Sequence, residues 1–259
     1  MSRPSEGGAL TAALSKAPEA TLMFWLVKIC ATTVGETGGD AVSMTMQLGY
    51  AAATLIFVSF FIVALTGQLA VRRYQPWTYW LVVVATTTVG TTTSDFIDRT
   101  LDVGYVASSA MLLSLVVVVL LAWRLSCGKI AADHIASRRD ELFYWATILV
   151  SNTLGTALGD FTADDTGLDL GFERGALLFA GLILVVDVLH RLKALPRAVL
   201  FWAAYVLTRP LGATLGDTLT KPLEDGGFAF GRIAATLLIA ALMVLLIAAT
   251  PKLRRPATA

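Results

Sequence analysis

One pattern recurs four times along the chain at unchanged spacing. The segments Trp25–Asp40, Trp80–Asp95, Trp145–Asp160 and Trp202–Asp217 each read W-x9-G-x4-D, with glycines at 35, 90, 155 and 212. Each is followed by a glycine and an aromatic residue: Gly49-Tyr50, Gly104-Tyr105, Gly171-Phe172 and Gly227-Phe228. Four copies at one spacing imply one supersecondary unit used four times, and such units bury their apolar faces on one another. The periodicity places the repeats at about 19–73, 74–128, 139–193 and 196–251.

Composition decides the medium in which these units pack. Of 259 residues, 56% are hydrophobic and only 15% charged, and the mean hydropathy is +0.71. Soluble domains are about half apolar and about a quarter charged. The expectation is therefore an all-α integral membrane protein. Spans of roughly 20 apolar residues fall at about 20–46, 50–71, 76–97, 105–124, 141–163, 172–190, 197–220 and 229–250. The second span of each repeat is uniformly apolar, whereas the first turns rich in Thr, Gly and Asp toward its end. Because each repeat supplies two spans, all four enter the membrane in one direction. The expected fold is eight transmembrane helices forming four parallel two-helix repeats, each an α-hairpin, around a pseudo-symmetric axis along the membrane normal. Residues 19–251 form the single membrane domain, flanked by cytoplasmic tails at 1–18 and 252–259; the first tail lacks the short apolar run of a signal peptide.

Basic residues set the orientation. Arg72, Arg73, Arg124, Lys129, Arg138, Arg139, Arg191, Lys193, Arg197, Lys252, Arg254 and Arg255, with Arg3 and Lys16, all lie on one side of an eight-span topology. The positive-inside rule makes that side cytoplasmic, with both termini inside. The opposite loops carry Asp102, Asp164, Asp165, Asp169, Glu173, Glu224 and Asp225.

Parallel repeats bring Asp40, Asp95, Asp160 and Asp217 to one depth, about 22 Å along a helix from each Trp. Four acids facing lipid would be untenable, so they face the bundle interior. Thr32, Glu36 and Asp40 share one helix face, as do Thr87, Thr91 and Asp95, and Asn152, Thr156 and Asp160. The fourth repeat departs, with Arg209, Ala213 and Asp217. Carboxylates backed by hydroxyls form an oxygen-ligand set suited to Mn²⁺, Mg²⁺ or Ca²⁺, whereas zinc or copper would bring His or Cys. The candidate ligands are Glu36, Asp40, Asp95, Asp160 and Asp217, with Thr91 and Thr156 assisting. Mn²⁺ is favoured as the substrate cation, and no resident cofactor is expected. Only the first repeat has a second acid, Glu36, so a proton could cycle there against the ion. Arg209 is a candidate to neutralise a carboxylate when no ion is bound, and Lys221 to pair with Asp217. Lys28 either does the same or snorkels to the surface. Pro210 should break or kink its helix.

Each feature also has a plain structural reading. The acids could cap segments or bond hydroxyls between repeats, the threonines could simply pack helices, and the four repeat tryptophans read as interface anchors. Asp98 and Asp102 read as solvated span ends. Asp187 could pair with His190 or Arg191. Cys30 and Cys127 read as unpaired thiols, and His134 and His190 offer little for metal ligation.

A net charge of +1 argues against nucleic-acid binding. The chain has no G-x-S-x-G, H-E-x-x-H or Walker loop, so a non-enzyme is expected, with a Glu36/Asp40 acid–base pair as the weakest rival. The repeat with its later Gly-aromatic resembles a bacterial family of integral membrane proteins built from a repeat of unknown function. That resemblance covers about Thr21 to Ile247 and implies the bacterial inner membrane. Gly35-Glu-Thr-Gly-Gly-Asp40 is also similar to the E-x-G-D signature of manganese and calcium cation/proton exchangers, with one extra residue between the acids and no Glu in the other three repeats. That similarity implies metal export with protons as coupling ion. The resulting expectation is a divalent-cation transporter whose partners are the metal ion and the lipid bilayer. The rival is a membrane scaffold or sensor whose acids are structural. Nothing in the sequence specifies an oligomeric state.

Overall fold

The computed structural model describes residues 16–128, 130, 135 and 137–253. The tail expected over 1–18 therefore lies largely outside the described residues, as do most of 252–259, Lys129 and His134. Within them the chain is all-helical. The long helices are α1 (Leu22–Asp40), α2 (Gly49–Ala70), α3 (Pro76–Asp95), α4 (Tyr105–Cys127), α5 (Arg138–Ala163), α6 (Gly171–Arg191), α7 (Arg197–Thr220) and α8 (Arg232–Leu253). Local chemistry marks their starts. Thr21 caps α1 by accepting from the Phe24 N–H at 3.3 Å, Pro76 opens α3 and Ser137 caps α5 through the Asp140 N–H at 3.0 Å. Single π-helical turns, Ala41–Thr45 and Phe96–Thr100, follow α1 and α3.

The odd-numbered helices form a closed ring in which α1 packs on α3, α3 on α5, α5 on α7 and α7 on α1. Glycine nesting sets both closeness and direction. Gly35 meets Thr87, Gly90 meets Asn152, Gly155 meets Arg209 and Gly212 meets Thr32. Each glycine thus receives the residue one turn before the glycine of the next repeat. The ring helices are consequently parallel and in register, related by a fourfold pseudo-axis.

The even-numbered helices lie outside the ring, and here the hairpin expectation is corrected. Helix α2 packs chiefly on α3, α4 on α5, α6 on α7 and α8 back on α1, while the two helices of one repeat touch only lightly. Each repeat's second helix belongs structurally to its neighbour.

Helices α2, α4 and α7, and α8 from Arg232 to Thr250, are long and apolar enough to cross a membrane. The outer ones expose rows of large side chains, including Leu55, Ile62 and Val63 on α2 and Leu237, Leu238 and Leu245 on α8. A perimeter of that kind suits hydrocarbon rather than water. Helices α1, α3 and α5 carry their polarity inward: Thr32, Thr87, Thr91, Asn152 and Thr156 are all fully buried.

Three further expectations change. Trp80, Trp145 and Trp202 do not sit as perimeter anchors. They are buried in an aromatic cluster with Phe24, Tyr79, Tyr144, Phe201 and Tyr205 that closes one end of the ring. Each indole packs edge-on against the aromatic residue before it, Tyr79, Tyr144 or Phe201, at centroid separations of 5.2, 5.3 and 5.5 Å. Pro210 does not end its helix, since α7 runs through it to Thr220. Neighbouring helices shield the backbone there, as they do in membrane helices generally. Asp98 is buried, accepting from Ser94 at 3.4 Å, because the π-turn swings it inward; Asp102 is exposed as expected.

Candidate cation site on the ring axis

Parallel helices in register stack their inward positions in layers one turn apart. From the aromatic end, the layers are Phe24, Tyr79, Tyr144 and Phe201; then Lys28, Val83, Ile148 and Tyr205; then Thr32, Thr87, Asn152 and Arg209; then Glu36, Thr91, Thr156 and Ala213; and last Asp40, Asp95, Asp160 and Asp217. The stripe predicted for single helices is thus the axis lining of the bundle.

Threonines in these layers do two jobs. Thr87 donates to the Ala31 carbonyl at 3.1 Å and Thr32 to the Thr208 carbonyl at 3.2 Å, the same contact in two repeats. These hydroxyls join ring helices. Thr91 and Thr156 instead receive Arg209, whose Nη2 donates to Thr156 Oγ1 at 2.7 Å, to Glu36 Oε2 at 3.0 Å and to Thr91 Oγ1. Ala213, on Arg209's own helix, leaves room for that side chain in the next layer. The guanidinium is fully buried and ties four ring helices together at the axis.

The four repeat aspartates are 3–4% exposed, so each must be balanced inside the protein. Asp95 and Asp160 share Arg99, at 3.1 and 3.6 Å. Asp217 faces Lys221 at 3.7 Å, too long for a hydrogen bond, and its Oδ1 has no hydrogen-bond partner among the described residues. Asp40 faces Arg232 at 3.4 Å. Carboxylate oxygens of Glu36, Asp40 and Asp217 lie within 4.8 Å of one another. Oxygens on opposite sides of a hard divalent ion, each at about 2.0–2.6 Å, are themselves about 4–5 Å apart, so this trio has the dimensions of such a site.

Of the seven candidate ligands, Glu36, Asp40 and Asp217 converge, Asp95 and Asp160 meet around Arg99, and Thr91 and Thr156 hold Arg209. Arg209 does neutralise a carboxylate, and Lys221 does pair with Asp217. Lys28 does not snorkel: it is fully buried, donating to Asn152 Oδ1 at 3.3 Å and lying 4.2 Å from the Tyr205 ring centroid. Asp187 pairs with Arg191 at 2.7 Å on the exposed surface.

Two partners of the acids escape the repeat alignment, Arg99 and Arg232. Arg99 stands one turn after Asp95, as Lys221 does after Asp217, so one further turn of alignment reveals it. Arg232 is hidden by a shifted equivalence. In each repeat a non-glycine residue with positive φ precedes, by two, a glycine with positive φ: Gln47 and Gly49, Asp102 and Gly104, Asp169 and Gly171, Ala229 and Gly231. The fourth-repeat partner of Gly49 is therefore Gly231, not Gly227, because the 3-10 turn Leu223–Asp225 is inserted before it. Arg232 consequently occupies the place of Tyr50, Tyr105 and Phe172.

The family model described as Repeat of Unknown Function (DUF347) matches residues 23–74, 78–128, 143–193 and 200–255. The chain belongs to that family, with four copies of its repeat. No curated protein and no solved structure gave a match.

Proposed function

We propose that this four-repeat protein is a transporter of a divalent metal cation, bound by Glu36, Asp40 and Asp217 at the ring axis. In this reading all eight helices cross the bacterial cytoplasmic membrane, with both chain ends in the cytoplasm by the distribution of basic residues. The observation that carries it is the convergence of three buried carboxylates within 4.8 Å, one of whose oxygens, Asp217 Oδ1, has no hydrogen-bond partner among the described residues. An all-carboxylate set favours a hard or intermediate ion, and manganese is the first to test, with export as the direction and protons as the coupling ion.

The mechanism follows from charge balance. Without the ion, Arg209 balances Glu36, Lys221 balances Asp217 and Arg232 balances Asp40. A divalent cation entering the trio displaces these tethered cations from the oxygens it ligates. Its departure lets them return, so that the carboxylates are never left uncompensated in a low-dielectric interior. Arg99, held by Asp95 and Asp160, keeps the other half of the layer closed.

Total elemental content of cells expressing wild type, Asp40→Asn or Asp217→Asn, in medium supplemented with manganese, magnesium and calcium, tests the proposal. One metal should change with wild type alone, its sign giving the direction. Equal content in all cells at equal protein level rejects it. The rival, a membrane scaffold or sensor, is favoured by the fact that every acid of the layer already faces a basic side chain. It requires the Asn variants to lose protein level or thermal stability with no metal phenotype in wild type.

A further inference from the structure

Among the described residues every buried acid but one faces a basic side chain, from Glu36 with Arg209 to Glu141 with Lys16. The exception is Asp98, 6% exposed in the π-turn that follows α3. Arg99, next along the chain, is engaged by Asp95 and Asp160.

Two hydroxyls meet the Asp98 carboxyl group instead. Ser94, on α3, donates to Oδ2 at 3.4 Å, and Ser108, fully buried on α4, lies against the same group. The Ser108 hydroxyl also donates to the Tyr105 carbonyl at 3.3 Å. Asp98 Oδ1 is buried and has no hydrogen-bond partner among the described residues.

Comparison of the repeats singles out the same three residues. Counted from the repeat aspartates and from the positive-φ glycines, the places of Ser94, Asp98 and Ser108 hold Gly39, Ser43 and Ala53 in the first repeat. They hold Gly159, Ala163 and Gly175 in the third, and Gly216, Thr220 and Ala235 in the fourth. Every one of these places is buried. Ser43 and Thr220 close their hydroxyls on carbonyls of their own helices at 2.9 Å. Only the second repeat brings in a carboxylate, and it brings both facing serines with it.

A buried carboxylate without a base calls for a counter-charge, and π-helical turns recur at functional sites. We propose that Asp98, Ser94 and Ser108 form a binding site for a small monovalent cation, sodium in the first instance. One carboxylate matches a single positive charge, and oxygen donors at the C-terminal end of a membrane helix suit a hard ion of this kind. Asp98 supplies Oδ1, and the serines supply their hydroxyl oxygens. The site shares no residue with the cation trio, and its test does not depend on transport.

Purified full-length protein in detergent is melted in sodium chloride and in choline chloride at equal ionic strength, with tryptophan fluorescence as readout. Binding to the folded state should raise the wild-type midpoint saturably with sodium, by about 2–4 °C. Asp98→Asn should remove the difference between the two salts, whereas Asp40→Asn should keep it. Ser108→Ala, which installs the residue of the first and fourth repeats, should raise the sodium concentration needed. Radiolabelled sodium should also be retained by wild type and be displaced by unlabelled sodium but not by choline. That measurement needs no variant, and it decides the matter if Asp98→Asn does not fold. Superimposable wild-type melts with no retained sodium overturn the site. An undiminished sodium response in folded Asp98→Asn overturns it as well.

Discussion

The Arg209–Glu36 contact allows a quantitative test of how the ring is held together. Both side chains are buried, at 0% and 4% exposure, with Nη2 and Oε2 3.0 Å apart, so neither charge has water to return to. Arg209→Met leaves the Glu36 carboxylate without its partner, and breaking a buried pair in this way costs about 3–5 kcal/mol. At about 2–4 °C per kcal/mol for a chain of this size, the midpoint should fall by roughly 6–20 °C. Glu36→Gln should cost a similar amount, because it strands the guanidinium. The double variant removes both charges together and should lie within about 2 kcal/mol of wild type, since apolar or neutral replacements of a complete buried pair are often near neutral. Thr91 and Thr156 keep some cost in the double variant, as both lose the donor from Arg209. The assay is thermal unfolding of the purified protein in detergent. Set against single losses that sum to about 6–10 kcal/mol, a double loss of about 2 kcal/mol or less means a coupling energy of at least about 4 kcal/mol. If the two single losses simply add, Arg209 and Glu36 do not share an interaction, and the displacement mechanism for Glu36 falls with it.

Two other substitutions probe the ring and the acid layer. A Cβ on Gly90 would lie 2.9 Å from the Asn152 carbonyl carbon and 3.0 Å from the Thr153 nitrogen, whereas one on Gly181 meets nothing within 4 Å. Gly90→Ala should therefore cost about 1–3 kcal/mol by overpacking, and Gly181→Ala should gain about 0.5–1 kcal/mol from lost chain entropy; melts that shift in the same direction refute glycine nesting. Arg99→Gln should destabilise by about 1–3 kcal/mol, because Asp95 and Asp160 lose a shared charged donor, while Asp102→Asn at an exposed position should stay within about 0.5 kcal/mol. Equal midpoints for those two variants would show that Arg99 does not bridge the acids.

The ring and its lining were readable because they rest on short-range periodicity. Positions one turn apart on one helix face, such as Thr32, Glu36 and Asp40, must point the same way, and four parallel copies must bring such stripes together. The pairing of outer helices was not readable in the same manner. A helix such as α4, Ala110-Met-Leu-Leu-Ser-Leu-Val-Val-Val-Val-Leu120 at its centre, is apolar all round and carries no mark of which neighbour it will choose. The tryptophans misled because an indole serves equally well at a lipid interface or inside an aromatic cluster. Arg232 was concealed by an insertion whose turn geometry, and not its residue types, identifies the equivalent position.

Because α8 docks on α1, the bundle has a clasp instead of two free ends. A chain with only three repeats folded would hold an arc with two raw flanks, one on α1 and one on α5, and the acids of the finished repeats would lie open at the gap. Arg232, which faces Asp40, comes from α8, so docking of the fourth repeat and neutralisation of the first repeat's acid are one event. The same closure means that no repeat is intrinsically first. Joining the ends and cutting the chain between any two repeats would leave every docking relation intact, as expected if the chain arose by fusing four copies of a two-helix unit that once assembled as a separate ring.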